Sequence, residues 1–111
     1  MAPALNLGEF EQLILLAILR LRDDAYGVTI RAELADRTGR NVAPGALYTA
    51  LDRLETKGLT TSRMSDPTPQ RGGRAKRQVT VTAAGLEALT RALRAYERLL
   101  DGLNLVRGAH A

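Results

Sequence analysis

The hydrophobic period of this 111-residue chain changes twice, and the two changes restrict what it can fold into. Up to Gly58, apolar residues recur at the spacing of an α-helix. From Leu59 to Thr82 they alternate with polar residues, as on a strand, and beyond Thr82 the helical spacing returns. "LTTSRM" and "RQVTVT" are the alternating pieces, rich in Thr and Val. "SDPTPQRGGRAK" between them has two prolines and the pair Gly72-Gly73, which are turn residues. The pattern predicts a mainly α (α+β) chain: helices, one long hairpin, then a last helix.

Three helices are expected before the hairpin. In "LGEFEQLILLAILRLRD" the inner positions are Leu7, Phe10, Leu13, Ile14, Ala17, Ile18 and Leu21. Leu15, Leu16 and Leu19 make its later part apolar on nearly every side, so this helix must be covered all round, and a second subunit is expected to help. "DDAYGVTIRAELADRTG" holds the second helix, with Asp23 and Asp24 suited to its positive end and Gly39 to its C-terminal cap. Its inner side is expected to carry Val28, Ile30, Leu34 and Ala35. After the connector "RNVA", "PGALYTALDRLETKGL" opens on Pro44, whose fixed φ fits a first helical position. Leu47, Leu51 and Leu54 form the buried stripe; Tyr48, Thr49, Asp52, Arg53 and Glu55 lie largely off it.

Thr82 can cap the last helix, "AAGLEALTRALRAYERLLDGLNLV". Leu86, Leu89, Leu93, Tyr96, Leu100 and Leu103 step by alternating threes and fours, the seam of a coiled coil. A face that broad exceeds what one small domain covers, which makes a homodimer the expectation. Length allows a single folded unit, read as a head over residues 1–82 and a dimerisation helix over 83–111.

Charge is informative through its placement. The net charge is +4. Residues 67–82 hold four basic side chains, Arg71, Arg74, Lys76 and Arg77, and no acid; removing them from the 16 basic residues leaves 12, against 12 acidic. The whole excess therefore sits in the hairpin, as an anionic partner would require. Other functions find little support. No cysteine is present, and the one histidine, His110, is next to last, so neither a disulfide scaffold nor a Cys/His metal site is expected. No phosphate-binding glycine motif or Ser/His/Asp set occurs, so no enzyme and no cofactor are expected. Asp23-Asp24 reads as helix-start chemistry rather than as a carboxylate dyad. The longest apolar run has seven residues, too short for a membrane span, and no signal pattern opens the chain; a cytoplasmic, DNA-associated location is the expectation.

The order helix, helix, helix, strand, basic loop, strand, long helix is that of a winged helix-turn-helix. There the third helix enters the major groove of double-stranded DNA and the hairpin, or wing, touches flanking backbone. Arg71, Arg74, Lys76 and Arg77 can neutralise phosphates, and Gly72 and Gly73 permit close approach. Pro44, Gly45 and Ala46 keep the start of the third helix free of bulk. Tyr48 can reach a phosphate or lie at the edge of the core. Thr49 and Arg53 can reach base edges, or Arg53 can pair with Asp52 or Glu55. A solvated charged hairpin is the plainer account of the basic cluster, and the preceding helix-turn-helix argues against it.

"LGEFEQLILLAIL", "AYGVTIRAEL", "VAPGALYTALDRLETKGL" and "RGGRAKRQVTVTAAG" occur in an order that resembles the PadR-like transcriptional regulators over residues 7 to 90. The resemblance implies a homodimeric repressor on an inverted-repeat operator, with the C-terminal helices dimerising. It implies phosphate contacts at the start of the second helix, where Tyr26 either meets DNA or packs in the core. It also implies, for some members, release by phenolic or multidrug ligands near the dimer interface. Tyr96 would be the effector contact for a small hydrophobic or aromatic molecule, but the shortage of other aromatics favours a space-filling role. Four positions depart from the family pattern: Ala43 for Ser or Thr, Thr49 for Pro, Gln78-Val79 for an aromatic pair, and Ala83 for Pro. The rival reading is a winged-helix protein-interaction module that does not bind DNA.

Overall fold

The computed structural model of the chain describes residues 7–64 and 76–105. Its elements are α1 (Glu9–Leu21), a 3-10 turn (Arg22–Asp24), α2 (Gly27–Thr38), α3 (Pro44–Thr56), β1 (Thr60–Met64), β2 (Arg77–Val81) and α4 (Ala83–Leu100). β1 and β2 pair antiparallel, Thr60 opposite Val81 and Met64 opposite Arg77.

α1 lies at the centre. Ile14, Leu15, Ala17 and Ile18 are buried together with Ile30 and Leu34 of α2, Leu47, Ala50, Leu51 and Leu54 of α3, Val79 of β2 and Ala88 and Leu89 of α4. The helix packs against α2, β2 and α4. Its all-round apolarity is thus largely satisfied within one protomer, because other elements of the same chain surround it. Only Leu19 remains substantially exposed among its large apolar side chains, so α1 is a weaker argument for a second subunit than its sequence suggests.

Local chemistry sets the helix ends. Pro44 starts α3 behind Ala43, which supplies no side-chain cap. Gly39 closes α2 in the left-handed region at φ 73°, its N–H bonded to Ala35 O. Asp23 and Asp24, expected before the positive end of α2, lie with Arg22 in the 3-10 turn, and the helix begins three residues later, at Gly27. Thr29 takes over at that end: its hydroxyl accepts from Tyr26 N–H at 2.9 Å and donates to Asp24 O at 2.6 Å. Val28 also departs from its expected inner position. It is 74% exposed, because the inner side of α2 is set by Gly27, Ile30 and Leu34, and Val28 is turned well away from that row.

A compact junction joins α3 to α4. Thr82 N–H donates to Leu59 O at 3.0 Å. The Thr82 hydroxyl donates to Gly58 O at 2.7 Å and accepts from Gly85 N–H at 3.0 Å. Thr82 therefore caps α4 as expected and also ties it to the end of α3. Gly85 is buried here, and a Cβ on it would overlap the Leu59 carbonyl oxygen and lie 2.9 Å from Val81 Cγ1. Lys57 completes the tie, its ammonium 2.9 Å from the buried Glu11 carboxylate of α1.

α4 differs from its expected form in two ways. Leu89, a position of the expected dimer seam, is 2% exposed; with Gly85 and Ala88 it belongs to the protomer's own core. Seam and core compete for the same short stretch, and the core takes the helix's first two turns. The helix also stops at Leu100, after which Gly102 turns the chain at φ 83°. Leu103 consequently lies past the helix end and cannot continue its heptad. Leu86, Leu93, Tyr96 and Leu100 remain exposed. From Arg91 to Leu105 every residue except Ala92 is exposed.

Candidate nucleic-acid interface

The fold brings three segments to one side of the head: the start of α2, the outer face of α3 and the strands of the hairpin. Ala25 makes this possible. It is fully buried, and its carbonyl accepts from Val79 N–H at 2.9 Å, so the stretch before α2 runs beside β2 as a one-bond extension of the sheet. Gln78 reinforces it, its amide donating to Asp23 O at 2.6 Å. The two family positions occupied by Gln78 and Val79 are thus filled by a backbone tie and a core residue.

Tyr26 sits at the N-cap of α2, with the Lys76 ammonium 5.3 Å from its ring centre. Tyr48 reaches across from α3. Its hydroxyl lies so close to Gly27 that a Cβ there would stand 2.5 Å away. Glycine at the start of α2 is therefore what admits the ring, and Tyr48 is at once an interhelical contact and 43% exposed. The ring packs against α2 while the residue keeps a surface to solvent, so neither sequence alternative for Tyr48 excludes the other. A cleft of about 360 Å³ between helix and hairpin is lined by Tyr26, Gly27, Val28, Thr29 and Tyr48 on one side and by Met64, Lys76 and Arg77 on the other.

The outer face of α3 presents Pro44, Gly45, Ala46, Thr49 and Arg53, all exposed. Gly45 has nothing within 4 Å of where a Cβ would be. Its own fold thus gives no reason for glycine there, although glycine costs a helix up to about 1 kcal/mol relative to alanine. Thr49 and Arg53 are one turn apart on the same side. The expected alternative partners of Arg53, Asp52 and Glu55, are both held by another residue.

That residue is Arg77. Its Nη1 donates to Asp52 Oδ1 at 2.9 Å, its Nη2 to Glu55 Oε1 at 3.1 Å and its Nε to Ser62 Oγ at 3.1 Å. Ser62 in turn donates to Glu55 Oε1 at 2.6 Å. Hydrogen bonds from Ser62 and then Arg77 hold the Glu55 carboxyl below the usual carboxylate range. Partial burial works against the Arg77 charge, but the bonds to Asp52 and Glu55 outweigh it and raise its pKa. Composition groups Arg77 with the phosphate-neutralising residues; in the fold it faces the protein, toward Asp52, Glu55 and Ser62, partners that sequence reasoning misses. The available signal is alternation: Arg77 shares its strand face with Val79 and Val81, the inward one. Arg71, Gly72, Gly73 and Arg74 lie outside the described residues, and no cluster suited to a metal ion exists among the described ones.

Three helices followed by a two-stranded wing, with the third helix facing outward, form a winged helix-turn-helix, an architecture that DNA-binding proteins use. The description "Transcriptional regulator PadR-like family" matches residues 15–91. The transcriptional regulator Rv3488 of Mycobacterium tuberculosis is 42% identical over 79 residues, covering 69% of this chain and 67% of that protein. The crystal structure of a PadR family transcriptional regulator from Eggerthella lenta is 28% identical at a TM-score of 0.67, covering 86% of this chain and 83% of that one. A PadR-like regulator from Bacillus cereus, 21% identical, shares the fold at a TM-score of 0.68 over 86% of this chain and 87% of its own. The chain belongs to the PadR-like family of transcriptional regulators.

Proposed function

We propose that this regulator binds double-stranded DNA as a homodimer, with α3 in the major groove and the wing on the flanking backbone. One observation carries the reading: α3 exposes a bulk-free first turn, Pro44-Gly45-Ala46, followed on its outer face by Thr49 and Arg53. A groove-inserted helix needs both. Arg53 suits guanine, and Thr49 suits a thymine methyl or a base edge. Tyr26, Tyr48 and Lys76 flank α3 where a phosphate strand would run, and the wing residues Arg71, Gly72, Gly73 and Arg74 supply sequence-independent affinity.

Residues 1–82 act as the head and α4 as the dimerisation helix, through Leu86, Leu93, Tyr96 and Leu100. Two-fold symmetry then calls for an inverted-repeat operator, and occupancy of a promoter for repression, in the cytoplasm where the DNA lies. A small hydrophobic or aromatic effector stacking on Tyr96 would release DNA only if it favoured one spacing of the two heads over the other.

The test is a mobility-shift titration of the gene's own upstream fragment across a range of salt. Affinity should fall steeply with salt, and replacing Arg71, Arg74 and Lys76 by Ala should weaken binding to all sequences and flatten the slope. Unchanged binding by that triple variant would show that the wing does not grip DNA. No binding by the wild-type chain would favour the protein-interaction reading.

A further inference from the structure

The recognition helix carries a liability: two carboxylates, Asp52 and Glu55, on exposed positions of the element meant for a polyanion. A glutamate carboxyl at its ordinary value is already ionised at neutral pH, and hydrogen bonds from Ser62 and Arg77 lower that of Glu55 further. Arg77 addresses both at once. Its side chain is 24% exposed, against 69% and 44% for its two partners. Three of its N–H groups are committed to Asp52, Glu55 and Ser62. A planar, forked cation suits three acceptors spread over two elements, because it reaches them from three separate nitrogens.

We propose that Arg77 is a positioning residue rather than a phosphate contact: it clasps the wing's second strand to the recognition helix and masks the two carboxylates that would otherwise repel DNA. The inference rests on the DNA-binding reading above. It divides the basic cluster of the wing by role. Arg71 and Arg74 keep the phosphate role proposed above, while Arg77 holds β2 against α3. The pairing register places Arg77 opposite Met64, at the end of the described ladder away from the Thr60–Val81 pair that adjoins α3 and α4.

Two roles for Arg77 predict different variant behaviour. A lysine replaces arginine well as a point charge on a phosphate, but its single ammonium lacks the three separate nitrogens by which Arg77 reaches Asp52, Glu55 and Ser62. The experiment measures binding of the full chain to a fluorescent mixed-sequence duplex by anisotropy at several salt concentrations. The proteins compared are the wild type, Arg77→Lys, Arg77→Gln, Asp52→Asn/Glu55→Gln, and Arg77→Gln combined with that pair; thermal unfolding reports whether each folds. The clasp predicts that Arg77→Lys loses about fivefold or more in affinity despite its retained charge. It predicts that Arg77→Gln loses about tenfold or more, the loss being largest at low salt, where the unmasked carboxylates are least screened. It further predicts that the Asp52/Glu55 substitutions restore affinity far more in the Arg77→Gln background than they add in the wild-type background, as coupled sites require. A direct phosphate contact predicts near-wild-type binding by Arg77→Lys, a slope smaller by about 0.9 for Arg77→Gln, and equal gains in the two backgrounds. That pattern overturns the clasp while leaving DNA binding intact. If Arg77→Gln fails to fold, the Arg77→Lys variant and the Asp52/Glu55 pair decide the matter. If the wild type shows no salt-dependent binding at all, the DNA-binding reading fails, and the clasp's role in it falls too.

Discussion

Gly85→Ala is expected to destabilise the protein, against the usual helix-forming advantage of alanine. Glycine to alanine in a helix normally gains up to about 1 kcal/mol. At Gly85 the new methyl meets the Leu59 carbonyl oxygen, with Leu59 C at 3.0 Å and Val81 Cγ1 at 2.9 Å. Two of these three atoms are backbone, and the oxygen is also the acceptor for Thr82 N–H. Relief therefore requires the first turn of α4 to lift. Overpacking of this kind costs about 1–3 kcal/mol, and weakening the Thr82–Leu59 hydrogen bond adds about 1 kcal/mol. Set against the propensity gain, the net loss is about 2 kcal/mol, or a fall in Tm on the order of 10 °C for a domain of this size. The assay is thermal and urea unfolding at one fixed protein concentration, since the apparent stability of any self-associating protein depends on concentration. The internal control is Gly45→Ala, also in the first turn of a helix but with open space around the added methyl. It should leave stability unchanged or raise it by up to about 1 kcal/mol. If Gly85→Ala is as stable as the wild type, the close approach of α4 to Leu59 is not the constraint described here.

The same Gly45→Ala protein should bind duplex DNA several-fold more weakly despite its stability, if the start of α3 approaches a sugar-phosphate chain; anisotropy titration checks it. Leu93→Glu, on the exposed face of α4, should shift the protein from dimer to monomer in sedimentation while circular dichroism keeps its helix content, because Leu93 is 37% exposed in the protomer. Leu89→Ala, one turn earlier, should instead cost about 2–5 kcal/mol of folding stability, since that side chain is in the core. Acid should destabilise the protein. The carboxyls of Glu33 (hydrogen-bonded first by Arg20, then by Arg37) and Glu55 titrate below their ordinary value of 4.5. A lowered folded-state pKa contributes stability that is present above about 4.5 and disappears as pH falls through the folded values. Urea unfolding from pH 7 downward should show a loss confined to the acid side of that value, smaller in Glu33→Gln.

The candidate site is legible in the sequence to different depths. Pro44, Gly45, Ala46, Thr49 and Arg53 can be placed from sequence because helical period alone puts them off the Leu47, Leu51, Leu54 stripe. Tyr48 stays between two roles in the sequence because its packing contact is with Gly27, 21 positions earlier. Charge alone assigns Arg77 to DNA, whereas its partners lie 25, 22 and 15 residues away in its own chain. Charge composition shows that a cation is present and not which anion it faces.

The elements, their order and most of their ends follow from local physics. That physics is the period of apolar residues, proline's fixed φ at Pro44, glycine's left-handed freedom at Gly39, and the hydroxyl of Thr82 within reach of Gly85 N–H. How the faces are shared out is a matter of tertiary packing. Packing assigns Leu89 to the core and leaves Leu93 outside, turns Val28 away, carries Ala25 alongside β2, and directs Arg77 to the acids of α3. Periodicity shows that a helix or strand has an inward face, but the identity of the neighbour on that face is set by contacts between distant segments, which no local pattern encodes.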